Sequence, residues 1–566
     1  MAGMTAGTGL SRDERQLAGR AGSVSLGVIL SRITGVAREQ TLAYLFPTRM
    51  LDGFVAAYTF PNALREMLAE GALSKAFVAT FAAVDHNDGT RAAHRLFIRV
   101  SRVVLPVTLA VSGLGMAFAP EVVDAIFAGP AFSEPFLEGM RFGFDTPRDL
   151  AVWMTRLMFP FLVFVSLGAL VMGGLQARNR FFLPSVASAF FNFAVIAGAV
   201  VGFVYAPRLG LHPMAGLGLG VPLGGLAQLA VQALWFRRHG FRREPAGGIR
   251  ATVRDPAFRR VVRLYLPAAV SAGALQIHVV ISRYFASGGT SWLSWFHFAY
   301  RVAQLPSALV GVALSHAALP SLTRFAGRGD RDGLIRVLGR AGSLMVALST
   351  AAGAGIFAIA EPLIAVIYLR GEFTPEDAEG VTALLRILAF GLPAFGATKL
   401  LTDGFFSLGT TRPPLFVTLV GTGLTWIVTR TLVVTAGLGH LGLPLATVSV
   451  AWISASLLAI LLSGRLGTDP RGRSRAGILY RRVLGAGLRS LPAALAAGAA
   501  GRGGVWLVSS DSEWSTLSAL AAVLAGVAAG VTGWVLVIRR TAPGEWRPLR
   551  ELLHAMGRRV GTRFGR

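Results

Sequence analysis

Apolar runs of about twenty residues recur along the whole chain, about fourteen of them, and no other feature restricts the fold so severely. Inside hydrocarbon each backbone N–H and C=O must be satisfied within the protein, so runs of this length form helices. The chain is therefore expected to be an all-α polytopic membrane protein. Its 566 residues are 53% hydrophobic and only 15% charged, far too apolar for a soluble protein. The segments between runs alternate in charge. Arg12, Arg15 and Arg20 precede the first run, and Arg91, Arg95, Arg99 and Arg102 follow the second. FRRHGFRREPAGGIRATVRDPAFRR follows the sixth, whereas PEVVDAIFAGPAFSEPFLEG and VSSDSEWST are acidic or neutral. By the positive-inside rule both termini are cytoplasmic. The net charge of +26 then reports orientation, and nucleic acid is a poor partner for it. With no cysteine and no ligand-like spacing among nine histidines, no metal, thiolate chemistry or cofactor is expected. The polar N-terminus carries no signal-peptide pattern.

Internal repetition organises the runs. FIRV at 97–100 returns as LIRV at 334–337, and PEVVDAIFAGPAF from Pro120 returns as PLIAVIYLRGEF from Pro362. GLGLGVPLGG near Gly218 resembles GLPLATVSVAW near Gly442, and NRFFLPSVAS at Asn179 lies opposite TTRPPLFVTL at Thr410. The offset equals six runs, which preserves orientation and makes the repeat parallel. The expected organisation is a cytoplasmic tail over 1–21, a six-helix lobe over 22–236 and a basic loop over 237–261. A second six-helix lobe covers 262–463, two further helices and their basic loop 464–539, and a basic amphipathic cytoplasmic segment 540–566.

Charge inside the apolar runs marks the candidate site. The stretch SRITGVAREQTLAYLFPTRMLDGFVAAYTFPNALREMLAEGALSKAFV from Ser31 holds Arg32, Arg38, Glu39, Arg65, Glu66, Glu70 and Lys75. An ionisable side chain at the centre of a spanning helix costs roughly 2.5 to 3.5 kcal/mol, so such residues face a partner or a polar cavity. The excess of cations points to an anionic ligand. The alternative for an arginine near a run end is that it reaches the interface by extending its side chain. Arg32 and Arg38 lie about 120° apart on a straight helix, so one cavity takes both only if the helix bends, with Gly35 as the bend point.

SRITGVARE, FPNALREMLAEGALSKAFV, LQARNRFFLPS, SWFHFAYRVAQLPSALVGVALSHAALPSL, RGEFTPEDA and GLPLATVSVAW occur in an order and spacing that resembles the MurJ (MviN) family of lipid II flippases. The likeness covers the first twelve runs. It places the chain in the multidrug, oligosaccharidyl-lipid and polysaccharide exporter superfamily. It implies two six-helix lobes plus two helices forming a groove for a lipid tail, and alternating access. The implied substrate is the undecaprenyl-pyrophosphate-linked disaccharide pentapeptide of peptidoglycan, with membrane lipids and the cell-wall synthesis machinery as further partners. Positions matching the family's functional arginines are Arg32, Arg38, Arg65 and Arg301, expected around a central cavity between the first, second, seventh and eighth runs. Guanidinium suits pyrophosphate because it stays charged when desolvated and offers a planar fork of donors. Glu39, Glu70, Lys75 and Asn192 are expected as the supporting network, the acids pairing with Arg38 or Lys75. Glu66 and Gln304 depart from the family pattern, and Arg283 is a cation that the pattern does not require.

Other readings stand beside this one. A drug exporter of the same superfamily would want carboxylates or aromatics for a cationic drug, which four arginines would repel. An O-antigen-type flippase shares the anionic lipid carrier, and a scaffold without transport shares the architecture. A membrane enzyme would need a metal cluster, nucleophile or carboxylate pair that the sequence lacks, so a transporter is expected. For energy coupling, runs seven, eleven and twelve hold no Asp or Glu, with Thr425 and Thr429 where some family members use a sodium site. Membrane potential acting on the cationic site is the preferred driving force.

Overall fold

The computed structural model describes residues 12–550 apart from 68–71, 137–142, 179, 181, 243, 308–309, 311–312, 470, 509–513 and 548. Among the described residues every regular element is a helix. The helices fall into two compact units, Met1–Val280 and Ile281–Arg566.

The first unit contains α1 (Arg12–Leu45), α2 (Thr48–Arg65), α3 (Ala72–Asn87), α4 (Thr90–Ala117), α5 (Ala119–Ile126) and α6 (Pro147–Met158). It continues with α7 (Phe161–Ala177), α8 (Phe182–Tyr205), α9 (Ala215–Arg238) and α10 (Ile249–Arg254), and the boundary between units falls inside α11 (Pro256–Ala286). α1 begins within the segment expected as a tail, and α10 is a short helix within the expected basic loop. Arg99 of α4 secures that loop by bonding the Ala246 carbonyl and the Asp255 carboxylate. The expected third span divides: α4 ends at Ala117 and α5 starts two residues on, with Pro120 in its first turn. Proline lacks the N–H needed to continue a helix but suits the start of one.

The second unit contains α12 (Trp292–Pro306), α13 (Ala313–Gly327), α14 (Arg331–Tyr368), α15 (Pro375–Ala389) and α16 (Leu392–Ser407). α17 (Arg412–Arg430), α18 (Gly442–Leu466), α19 (Arg475–Val508) and α20 (Thr516–Thr541) complete it. Nine of the described helices are long and apolar enough to cross a membrane: α4, α8, α9, α11, α14, α17, α18, α19 and α20. Two bent pairs pass the same test when each is taken together, α6 with α7 at 41° and α15 with α16 at 48°, which brings the count to eleven if each is one span. Pro160 sits at the first break, while Gly391 and Pro393 flank the second, so each kink has a backbone cause. A bent pair in the corresponding place of each unit fits the repeat read from the sequence. The three expected spans outside these eleven are those that carry the candidate cations, on α1, on α2 and α3, and on α12 and α13.

Small residues let the helices close up. A Cβ on Gly198 of α8 would lie 2.4 Å from the Gly216 carbonyl oxygen of α9, and one on Gly216 would lie 2.2 Å from the Gly198 oxygen. Backbone therefore meets backbone, the packing that membrane helices use where burial alone gives no driving force. Capping fixes several ends. Thr374 and Asp377 form a reciprocal capping box on α15, and Ser515 with Ser518 forms one on α20. Beyond α20, Glu545 is buried against Arg489 at 3.2 Å and Trp546 lies under Arg539. The rest of the expected C-terminal amphipathic segment, 551–566, lies outside the described residues.

Candidate functional site

α1 packs along α8, and where the two meet, polar groups replace apolar contacts. Arg38 donates from Nη2 to Glu39 Oε1 at 2.5 Å and from Nη1 to Asn192 Oδ1 at 3.1 Å. Because guanidinium only donates, it fixes the amide's orientation. Asn192 Nδ2 is left to donate to Thr34 Oγ1 at 3.0 Å and to the Ser31 carbonyl at 3.3 Å. The Ser31 and Ser188 hydroxyls meet at 2.7 Å, and the Phe191 ring lies 5.9 Å from the Arg38 guanidinium carbon. The Arg38 side chain is 12% exposed and that of Glu39 5%. A buried ion pair holds only when hydrogen bonds serve its remaining donors and acceptors, and the α8 amide supplies one of these. Among the described residues the buried Arg38 Nε has no hydrogen-bond partner.

Arg65 ends α2 and donates to Glu66 Oε1 at 2.8 Å, with side chains 22% and 39% exposed. It is close enough to act on Arg38 as a like charge. Glu66, a departure from the family pattern, thus serves as Arg65's neighbouring counter-charge, which sequence reasoning did not anticipate. Arg32 is exposed on α1, which runs unbroken through Gly35. In the second unit Arg301 is exposed on α12. Arg283 falls in the last turn of α11. Glu70 lies outside the described residues, and so does the side chain of Lys75, whose backbone belongs to α3.

Several motif residues turn out to hold helices together. Arg178, from LQARNR, pairs with Asp85 of α3 at 3.1 Å and meets His94 Nε2 of α4 at 3.1 Å. Asp377, from RGEFTPEDA, accepts at 2.7 Å from the buried Trp295 indole of α12. One intramembrane pair was missed altogether. Lys399 donates to Asp403 one turn on along α16, at 2.7 and 2.8 Å, and Ser315 of α13 donates to the same buried carboxylate. The i, i+4 spacing of opposite charges inside an apolar run was the available signal. Thr425 and Thr429 are buried on α17, with the Thr425 hydroxyl bonded back to the Gly421 carbonyl. Among the described residues no three His, Asp or Glu side chains form a group that could hold a metal ion.

The second unit also carries an apolar groove of about 1300 Å³, lined by α14, α15, α16, α18 and α19. α14 and α19 run parallel along it, Gly342 against Val483, Ala354 against Gly498 and Ala358 against Gly501. From Leu338 to Phe357 its α14 wall extends about 28 Å, close to the hydrocarbon thickness. Of the two helices expected to form a lipid-tail groove, α19 lines it, while α20 packs against α19 through Gly526 and Gly530.

The family model described as lipid II flippase MurJ matches residues 42–536. The chain belongs to the MurJ lipid II flippase family. The lipid II flippase MurJ of Burkholderia cenocepacia is 33% identical over 78% of this chain and 83% of its own length. The probable lipid II flippase MurJ of Rhizobium tropici is 31% identical over 78% and 80%. A solved lipid II flippase MurJ in an inward closed conformation shares the fold, with TM-score 0.70 at 20% identity over 91% of this chain and 98% of that one. So does an inward-facing MATE multidrug transporter of the MOP superfamily, with TM-score 0.63 at 16% identity over 80% and 96%. As a member of the MurJ family, the chain is a multi-pass membrane protein of transporter type.

Proposed function

We propose that this chain moves lipid II, the undecaprenyl-pyrophosphate-linked disaccharide pentapeptide, from the inner to the outer leaflet of the cytoplasmic membrane by alternating access. Both termini lie in the cytoplasm. The observation that carries this reading is the desolvated cation network of Arg38, Glu39 and Asn192, in a chain matched to the MurJ family over most of its length. Arg32, Arg38, Arg65 and Arg301 engage the pyrophosphate during the cycle. The neighbouring acids stabilise Arg38 and Arg65 while the site is empty and exchange for phosphate oxygens when it fills. Binding drives transport only if it favours one conformation over another, and the membrane potential contributes about 2.3 kcal/mol per charge per 100 mV. The groove on α19 receives the polyprenyl tail, and the cell-wall synthesis machinery supplies and consumes the cargo.

The test is complementation of cells depleted of their lipid II flippase, together with lipid II binding by the purified chain. Growth and saturable binding are expected. If the chain instead rescues only cells lacking an O-antigen flippase, the substrate is another polyprenyl-pyrophosphate sugar. Transport in proteoliposomes that ignores an imposed potential but requires a sodium gradient overturns the coupling.

A further inference from the structure

Two carboxylates of one bent helix pair each hold half of another span. α15 and α16 meet at 48°, and the expected eighth span, which carries Arg301, is divided between α12 and α13. α12 packs on α15, and α13 packs on α16. In the first contact Asp377 Oδ1 accepts from the Trp295 indole at 2.7 Å, while its Oδ2 accepts from the Thr374 N–H and hydroxyl at 3.0 and 2.8 Å. In the second, Asp403 Oδ2 accepts from the Ser315 hydroxyl, while Lys399 reaches both of its oxygens. Trp295, Asp377, Ser315 and Asp403 are all buried, so both bonds form away from water, where they are strongest. Asp403 also stands inside an apolar run, where an ionisable side chain is a functional candidate by default. The Trp295 ring has little room to shift. A Cβ on Gly380 of α15 would lie 2.5 Å from it, and the His440 ring meets Trp295 and Trp292 at 5.6 and 5.7 Å between centroids. Ser291, the residue before α12, takes φ 64°, a left-handed conformation that costs energy and persists only where its surroundings enforce it. Arg301 stands six residues beyond Trp295, about 9 Å along the helix axis, so the seat of that first turn decides where the guanidinium's stem begins.

We propose that Asp377 and Asp403 are positioning residues of the cargo site. Acting through Trp295 and Ser315, they make the bend between α15 and α16 set the offset between α12 and α13, and with it the place of Arg301. The proposal rests on the reading of Arg301 as a pyrophosphate ligand. Neither carboxylate meets the anion, which it would repel; each acts through a donor on the span that bears the cation. A change in the α15–α16 bend then moves both halves of that span together.

The experiment uses Trp295→Phe and Ser315→Ala, which each remove one donor and leave both carboxylates their other partners. The chain has no cysteine, so nitroxide labels on Tyr300→Cys of α12 and Thr323→Cys of α13, both exposed, report on these two helices alone. Pulsed electron paramagnetic resonance on the full chain in lipid nanodiscs should give one narrow distance distribution, and the two substitutions together should broaden and shift it. Without labels, the same two substitutions should weaken lipid II binding about tenfold, the loss of one charge-assisted contact, but should cost nothing further in an Arg301→Ala background. A monodisperse elution profile matching the parent's establishes folding for each variant. An unchanged distance distribution overturns the proposal. So does an equal loss of binding with and without Arg301, which is the result for bonds that only stabilise the fold. If Arg301→Ala alone binds as the parent does, the reading of Arg301 as a ligand falls instead, while the distances still decide whether the two carboxylates hold the span.

Discussion

Replacing Arg38 by alanine tests the candidate site at its most enclosed point. The substitution leaves the Glu39 carboxylate, 5% exposed, without the guanidinium, and leaves Asn192 Oδ1 without its donor. Stranding one member of a buried ion pair costs about 3 to 5 kcal/mol, and an unsatisfied amide oxygen adds about 1 to 3. Against a net stability of about 5 to 15 kcal/mol, Arg38→Ala alone therefore confounds folding with ligand binding. Arg38→Ala with Glu39→Gln removes the carboxylate's charge together with its guanidinium and should recover part of the first cost. Arg38→Lys restores the charge without the fork, and should hold the fold while binding less well. Thermal unfolding in detergent, followed by tryptophan fluorescence, should rank the double variant and the lysine variant above the single alanine. Lipid II binding should then be about ten- to a hundredfold weaker in the double variant, since each charge-assisted phosphate contact is worth about 1.5 to 3 kcal/mol. If the single and double variants unfold together, the carboxylate is not held by Arg38 as the geometry requires. If the folded double variant binds and transports as the parent does, Arg38 only packs α1 on α8, and its place in the substrate site is refuted.

Three further outcomes follow from the packing. Gly216→Val should prevent a monodisperse fold, because its first carbon would already lie 2.2 Å from the Gly198 carbonyl; a parent-like elution profile and melting temperature would contradict that contact. His212, buried between α8 and α9 with Nδ1 accepting from the Met214 N–H, is pushed down to about 4 by burial from an ordinary value near 6.5. Between those values the unfolded chain binds a proton that the folded one refuses, so stability should fall by up to about 3 kcal/mol as pH drops from 6.5 to 4. Melts of the parent and His212→Gln across that window should diverge, the variant losing less. Lys399→Ala should destabilise by about 1 to 3 kcal/mol by stripping Asp403 of its cation, and adding Asp403→Asn should reverse most of the loss in the same unfolding assay.

Much of the architecture was legible because a bilayer leaves few choices. Once apolar runs of the right length recur, helices are forced, although among the described residues length and composition alone count nine to eleven spans against the fourteen expected. The repeat was legible for the same reason, and a bent pair in each unit fits it. Boundaries were less legible. The split of α4 from α5 turns on Phe118 and Pro120, and prolines elsewhere, such as Pro222 and Pro362, sit inside continuous helices. Neighbouring helices that re-satisfy the freed carbonyls decide between break and continuation, and these neighbours are not written beside the proline in sequence.

The candidate site divides along the same line. A charge inside an apolar run announces itself, so Arg38 and Arg65 could be singled out without a structure, whereas Arg301 was marked by the family resemblance. Its partner does not announce itself unless it stands within a turn. Glu39 and Glu66 adjoin the arginines they hold, but Asn192 lies more than 150 residues from Arg38 and is joined to it only by the packing of α8 on α1. Asp403 makes the opposite case. Its cation is one turn away and could have been read directly, yet its third contact, Ser315, arrives on another helix. Motifs mislead in a complementary way. LQARNR and RGEFTPEDA helped mark the family resemblance, but Arg178 and Asp377 spend their hydrogen bonds on neighbouring helices, where a motif records architecture as readily as ligand contact. One physical property to weigh is what the charge lacks. Arg178 meets a carboxylate and an imidazole and Asp377 closes a capping box, whereas the buried Nε of Arg38 has no hydrogen-bond partner among the described residues. Arg49 shares that property while bonding the Glu134 and Pro135 carbonyls, so an open donor alone does not mark a ligand contact, and binding by the folded Arg38→Ala, Glu39→Gln variant is what separates a phosphate ligand from a cation that binds helix to helix.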